Sequence, residues 1–480
     1  MTDSTSQATE STNQATSSMN HATESTNQAT SSMNHATEST NRATSSTGQA
    51  TDNTDRAMIN TTRTMISFEE AQRTILERAV KGTATADLPI AEATGYVLAE
   101  RIESGIDMPP FDKSAMDGFA FRHDEHTSVN AFRIVATIAA GDRPGAQIGR
   151  GECARIMTGA PVPAEADTVI PVEDTSLLDS REGIPDSGDP VAGGNGERVR
   201  FHSIPSKGAH IALHGEDIRA GNTALDKGHL IQHLEVAVLA AVGRRTVKVY
   251  AGPSIAFAAT GEELVEPGSE LGPGQIYNSN ASALRSQILA AKATPHSLGV
   301  VQDKADDLRH KIAEGLRYDM LLLSGGVSMG KYDLVPDVLR KLGVEIIFHK
   351  LLVKPAKPTL FGVKGKTMVF GLPGNPVSTV YAFDQYVAPA IRVFRRHPKP
   401  QAIHYCGKLT EAVNKKTGRL LLLPCVCEWV DGQCMLTPLA NHGSADIFSI
   451  AGANAIGIIP SEMKGVEKGT VVNFRKLYEY

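Results

Sequence analysis

Apolar residues first recur at helical spacing in SFEEAQRTILERAV, where Phe68, Ala71, Ile75 and Ala79 mark one face. Ser67 precedes this run and Glu70 follows it by three, the spacing of a capping box, so a helix is predicted to begin here. From about 106 to 205 the apolar stretches are short and broken by Gly and Pro, as in GDRPG, TGAPVPAEAD and VAGGNG. That pattern predicts a β-rich module with a long polar loop around 176–197. Residues 229–243 read as a helix with a glycine stop. Between 247 and 396, apolar runs at 254–259, 297–301, 320–323 and 367–370 alternate with helical segments near 279–293, 304–317, 333–342 and 377–394. Such alternation predicts a doubly wound α/β domain with a mainly parallel sheet. After about 400 the chain returns to short strands and turns, a small β domain.

The first 60 residues follow neither period. Alanines at 8, 15, 22, 29, 36, 43, 50 and 57 mark a seven-residue repeat of the form ATESTNQ and ATSSMNH. A coiled coil needs two large apolar positions per heptad. This repeat offers alanine at one, with Ser, Thr and Asn filling most of the rest, so disorder is predicted. The tail also changes the reading of charge. The chain carries 48 Lys+Arg and 53 Asp+Glu, a net charge of −5. Residues 1–60 hold six of the acids and two of the bases, leaving 46 bases and 47 acids beyond them. A near-neutral body argues against a nucleic-acid surface built on bulk charge. No run of about 18 apolar residues predicts a membrane helix, and the N-terminus lacks the pattern of a secretory signal. Five cysteines fit a reducing compartment rather than a disulfide framework. Cys425, Cys427 and Cys434 read as small, mostly buried thiols, without a second metal-binding pair of the usual spacing.

In an open α/β sheet, ligands bind beyond the carboxyl ends of the strands. After the four apolar runs come TGEEL, Gln302-Asp303, SGGVSMGKYD and GLPGNPVS, with KLLVKPAKP between the last two. The Ser324-Gly325-Gly326 turn can form a nest of N–H groups for an anion. GLPGNP leads into a helix, with Pro376 suited to its first position, and a helix start favours negative charge. Lys350, Lys354 and Lys357 add positive charge for phosphate or oxyanion. Glu263, Asp303 and Asp333 are hard oxygen donors of the kind that Mg²⁺ takes. His349, beside Lys350, reads equally as a strand residue or a ligand-facing one. These segments together predict a site for a phosphorylated ligand with a divalent metal.

At residues 66–480 the chain resembles the molybdopterin molybdenumtransferases, the MoeA family related to the gephyrin E domain. The resemblance rests on PPFDKSAMDGFA (109–120), AGDRPG (140–145), RIMTGAPVP (155–163), ADTVIPVED (166–174), GEDI (215–218), ATGEELVEPG (259–268) and GQIYNSN (274–280). It continues through SGGVSMGKYD (324–333), KPAKP (354–358), GLPGNPVS (371–378) and HGSADIFSIAGANAIGIIP (442–460). It implies a four-domain, multidomain α/β plus β fold. The expected divisions are a tail at 1–65, a discontinuous domain of 66–105 with 206–246, and a β-rich insert at 106–205. An α/β domain resembling molybdopterin adenylyltransferases follows at 247–400, then a β domain at 401–480.

The implied reaction is insertion of molybdate into adenylylated molybdopterin with release of AMP, dependent on Mg²⁺. The resemblance further implies a cytoplasmic homodimer, with the adenylyltransferase and molybdoenzyme acceptors as protein partners, and neither nucleic acid nor membrane. By position in the motifs, Asp117, Thr158, Asp217, Glu263, Asp303 and Asp333 match the family's active-site residues, the last three as metal ligands. Lys350, Lys354 and Lys357 match the bases lining its cleft, with Gly325 and Gly326 in the turn. Pro373, Gly374, Asn375 and Pro376 match its PGNP turn. Ser324, Ser378, Arg419 and Ser444 match positions proposed to hold molybdate. Four positions depart from the family pattern: Ala356 replaces a glycine, Glu262 and Asn278 each replace an aspartate, and Ala212 replaces an arginine. The Ala356 and Ala212 changes motivate a competing expectation, ligand binding without turnover.

Overall fold

The helix announced by the first apolar face spans Phe68–Arg78, and the Ser67 hydroxyl accepts the Glu70 N–H at 3.0 Å. The structure, a computed structural model, describes residues 65–123, 130–143, 145, 147–178, 197–302, 304–327, 334–414, 418–440 and 442–477. The repeat tail therefore lies outside the described residues, as do Asp303 and Asp333. Phe68, Ala71 and Ile75 bury their face in the same core as Ile255, Phe257, Met320 and Phe370. This helix packs with the α/β sheet, not with the strands that follow it.

Past this helix the chain runs out and returns. Strand Thr85–Pro89 pairs antiparallel with Thr246–Tyr250, Ile102–Glu103 with Thr223–Leu225, and Lys113–Ser114 with Ile211–Ala212. Between these arms lies a six-stranded sheet in the order Thr168–Pro171, Gly118–Phe121, Glu152–Ile156, Ala131–Ile138, Arg198–Phe201, Thr175–Leu178. Its aromatic core stacks Phe132 on Phe201 with ring centroids 4.3 Å apart. The long loop expected around 176–197 instead opens as the edge strand Thr175–Leu178; residues 179–196 are not described. Helix His233–Ala241 then ends before Gly243, whose φ of 77° suits the residue beyond a helix stop.

The central sheet follows the four apolar runs. Its order is Thr294–Val301, Ser254–Thr260, Met320–Ser324, Thr367–Leu372, Leu360–Lys364, Glu345–Phe348. The first four strands are parallel, and the last two complete the sheet antiparallel. Ser254–Thr260, Met320–Ser324 and Thr367–Leu372 are buried almost throughout and read as continuous apolar runs, while Thr294–Val301, at the sheet edge, buries only Leu298 and Val301. Helices Ser279–Ala290, Ala305–Gly315 and Val335–Lys341 cover the sheet. The segment near 377–394 is three consecutive pieces: Pro376–Ala382, a π-helical turn Phe383–Val387, and Ala388–Phe394.

The C-terminal strands close on themselves. Leu420–Val430 pairs with both Gln433–Pro438 and Ala455–Ile459, and Tyr405–Leu409 with Val471–Lys476 completes a small barrel. Two features bind this barrel to the α/β sheet. The two-residue strand Val353–Lys354 pairs in parallel with Leu420–Leu421. Arg475, on a barrel strand, forms a buried ion pair at 3.2 Å with Asp384 of the π-helical turn.

Candidate active site

Strand Met320–Ser324 delivers Ser324 to the carboxyl edge of the sheet and ends in a turn only glycine can make. Gly325 and Gly326 have φ of 92° and 63°. A Cβ on Gly325 would lie 2.7 Å from the Thr260 carbonyl oxygen, and one on Gly326 would lie 2.8 Å from the Thr260 hydroxyl. Ser324 is 2 % exposed. Below the turn, His349 Nε2 is 2.8 Å from the Val327 carbonyl oxygen and the ring is buried. This contact ties His349 to the residue that follows the turn.

The next strand, Thr367–Leu372, leads into Pro373, Gly374 and Asn375, and Pro376 opens the helix as its composition predicts. The two turns touch: a Cβ on Gly374 would sit 3.6 Å from the Gly325 Cα. Two side-chain amides join them to their surroundings. Asn280 Nδ2 donates to Ser324 Oγ at 2.9 Å and to the Gly374 carbonyl at 2.7 Å. Asn375 Nδ2 donates to Ser444 Oγ at 2.7 Å. The Ser444 carbonyl also accepts the Val377 N–H at 3.1 Å, so one of the helix's first N–H groups is already engaged. Ser378, one residue on, is buried. The Ser444 segment is itself anchored at Asp446, whose carboxyl is held far below its usual range by hydrogen bonds from Ser449 and His442.

The lysine segment is joined to the barrel. Arg419 Nη1 donates to the Val353 carbonyl at 3.4 Å, which brings Arg419 beside the strand that ends in Lys354. Lys354 and Lys357 are exposed and Lys350 is half-buried. Between them Ala356 adopts φ 71°, the conformation for which glycine is the easier residue, and its methyl group is buried at 2 % exposure. The loop is held from within by Leu351 N–H to the Lys357 carbonyl at 2.9 Å and by the Thr359 hydroxyl to the Ala356 carbonyl at 2.8 Å.

Asp117 and Thr158 meet in the β-rich module. The Thr158 backbone N–H and hydroxyl both donate to Asp117 Oδ1, at 2.7 and 2.8 Å. These two bonds lower the Asp117 pKa, so the exposed carboxylate stays ionised further into acid. It lines a cavity of about 170 Å³ with Phe119, Arg155, Met157 and Leu177. Asp217 stands exposed on a turn whose N–H bonds the Met108 carbonyl. Glu263 is exposed, with its carboxylate folded back over Gly261. Its oxygens are hard donors suited to Mg²⁺, which keeps much of its water and needs few protein ligands. Among the described residues no group of three or more His, Cys, Asp or Glu is placed to hold a metal. Cys425 and Cys434 are buried, and burial pushes the Cys425 thiol up to about 12. A larger cavity, about 630 Å³, lies between the first helix and the barrel, lined by Phe68, Gln72, Leu352, Leu420 and Met463, and includes none of the residues named for the site.

Thr260 and Asn280 carry no role in the sequence reading, although both lie inside motifs it singles out. Family models then account for most of the chain. The MoeA N-terminal region (domain I and II) matches residues 66–243, a probable molybdopterin binding domain matches 229–393, and the MoeA C-terminal region (domain IV) matches 407–477. The molybdopterin molybdenumtransferase of Bacillus subtilis is 30% identical over 419 residues, covering 85% of this chain and 94% of the relative. The chain belongs to the MoeA family. A MoeA relative in Nostoc, also named molybdopterin molybdenumtransferase, is 31% identical over 388 residues, covering 77% of this chain and 83% of its own. The crystal structure of a molybdopterin biosynthesis MoeA protein from Pyrococcus horikoshii superposes with a TM-score of 0.66 at 29% identity, covering 87% of this chain and all of that one. The first of the three family matches begins at residue 66, so the repeat tail lies outside them.

Proposed function

We propose that this chain is a transferase of molybdenum cofactor biosynthesis that inserts molybdate into adenylylated molybdopterin and releases AMP. Membership of the MoeA family and the name shared by its curated relatives support the reaction class. The observation that carries the site is the contact between the Gly325-Gly326 turn and the Gly374 turn at the edge of the sheet; Arg419 and Lys354 lie together where the lysine segment pairs with the barrel. The Gly325 N–H is taken by the Leu372 carbonyl at 3.1 Å, so it is the N–H groups beyond it in the turn that would suit a tetrahedral oxyanion, while lysines suit phosphate. Cleaving a phosphoanhydride is mainly a matter of positioning and charge stabilisation. In this reading Ser324, Ser378, Arg419 and Ser444 contact molybdate, and Lys350, Lys354 and Lys357 contact the nucleotide. Glu263, with Asp303 and Asp333, would hold Mg²⁺, which would supply positive charge to the phosphates when bound. Asp117, Thr158 and Asp217 complete the site.

The hydrogen bonds between Asp117 and Thr158 lie within the β-rich module. A homodimer, in which that module of one subunit faces the α/β domain of its partner, brings the two groups together. Helix His233–Ala241 supports association: Leu239 alone of its residues is buried, while Leu234 and Val238 are exposed at 68% and 37%. No helix among the described residues is long and apolar enough to cross a membrane, and a cytoplasmic enzyme working beside the adenylyltransferase and the molybdoenzyme acceptors is the setting proposed. The reaction is tested by incubating the protein with adenylylated molybdopterin, Mg²⁺ and molybdate and measuring AMP. Release that rises with molybdate is the expected result; binding without release would support the non-catalytic alternative instead.

A further inference from the structure

Asn280 is the second residue of helix Ser279–Ala290 and sits on a rigid mount. Asn278 caps that helix, accepting the Ala281 N–H at 3.1 Å, and its own Nδ2 donates to Glu266 Oε1 at 3.2 Å. Leu284 and Ile288 of the same helix are fully buried in the core. From this mount, both hydrogens of one amide nitrogen are used, one on Ser324 and one on the Gly374 carbonyl. The amide cannot be turned over, because its oxygen would then face a carbonyl. In the orientation it holds, Oδ1 is buried and has no hydrogen-bond partner. Leaving a buried acceptor unsatisfied is unfavourable, so the contacts made by the nitrogen outweigh that cost.

We propose that Asn280 is a positioning residue of the anion site. It fixes the spacing between the glycine turn after Ser324 and the Gly374 turn so that one oxyanion is met by both. Asn375 extends the same fastening to Ser444. This proposal rests on the reading of these turns as the site of molybdate and nucleotide. A site loosened by about 1 Å can lose on the order of a hundredfold in rate.

The test uses the full chain with Asn280→Ala, Ser324→Ala and the double variant, measuring molybdate-dependent AMP release, molybdate and AMP binding by calorimetry, and thermal melting. Asn280→Ala is expected to lower kcat/KM at least tenfold. Adding it to Ser324→Ala is expected to lower the rate by less than about threefold, because residues that act through one contact are not additive. Asn280→Asp keeps the shape and removes both donors, and replaces the alanine variant if that one does not fold. Equal kcat/KM within twofold in a folded variant overturns the proposal, as does full additivity in the double variant. If the wild type releases no AMP, the catalytic reading fails, and binding then decides: tenfold weaker molybdate or AMP binding in Asn280→Ala supports the role of Asn280. Unchanged binding, or a wild type that binds neither probe, overturns it.

Discussion

Ala356 stands where its conformation and its packing oppose each other. The left-handed region costs a non-glycine residue about 1 kcal/mol, and glycine would remove that cost. Glycine would also forfeit a buried methyl group, worth about 0.8 kcal/mol, and add freedom to the unfolded chain worth about 0.5 kcal/mol. The terms nearly cancel, so replacement of the usual glycine need not disable the lysine loop. Ala356→Gly is expected to change the melting temperature by no more than a few degrees, whereas Ala356→Val, β-branched and crowded at the same φ, should lose about 2 kcal/mol or more. Thermal denaturation of both variants checks this ranking; a large gain from glycine would mean that strain dominates. Thr158 offers a second measurement at this scale. Its donors lower the Asp117 pKa, so the ionised carboxylate persists to lower pH than usual. Thr158→Val removes one donor and raises that pKa toward its ordinary value of about 3.9. The acid limb of the pH–rate profile should therefore move to higher pH, and an unmoved limb would separate Asp117 from the rate.

At the scale of elements, the departures from the family motif become local pairings. Asn278 replaces an aspartate and still caps its helix, since Asn and Asp cap about equally well. What differs is the other end of the side chain, where an amide donates to Glu266. Asn278→Asp should retain the cap but set two carboxylates 3.2 Å apart at a position 1 % exposed, lowering the melting temperature at pH 7. Glu266→Gln in the same protein should restore it, and failure of that rescue would remove the pairing as the cause. The three inner parallel strands are legible as apolar runs because both their faces are buried. The antiparallel strands Leu360–Lys364 and Glu345–Phe348 are not: they close one side of the sheet, and each carries a charged residue at one end. Two-residue strands such as Val353–Lys354 are too short to show any period. The π-helical turn leaves no mark in an apolar pattern read at ordinary helical spacing.

Across the whole molecule, the sequence placed glycines, acids and lysines beyond the strand ends, but could not say what holds them in register. That information is non-local. Asn280 reaches residues 44 and 94 positions away, and Asn375 reaches one 69 positions away. The apolar pattern of residues 229–243 likewise marks a helix without showing which of its faces lacks a partner. Leu234→Glu together with Val238→Glu should shift a dimer toward monomer in sedimentation velocity and lower activity with it. A variant that stays dimeric and active would move the interface elsewhere.

The parallel pairing of Val353–Lys354 with Leu420–Leu421 has a mechanical consequence. The lysine strand leaves the α/β domain and is hydrogen-bonded into the barrel, while the glycine turns stay on the sheet. The strand also belongs to a core that both parts share: Leu351, Val353 and Ala356 are buried together with Phe257 and Phe370 of the sheet and Leu420 and Ile456 of the barrel. With the buried Arg475–Asp384 pair as a second tie, a load applied to the barrel is carried directly into the sheet, so the lysine strand is held in place from both sides.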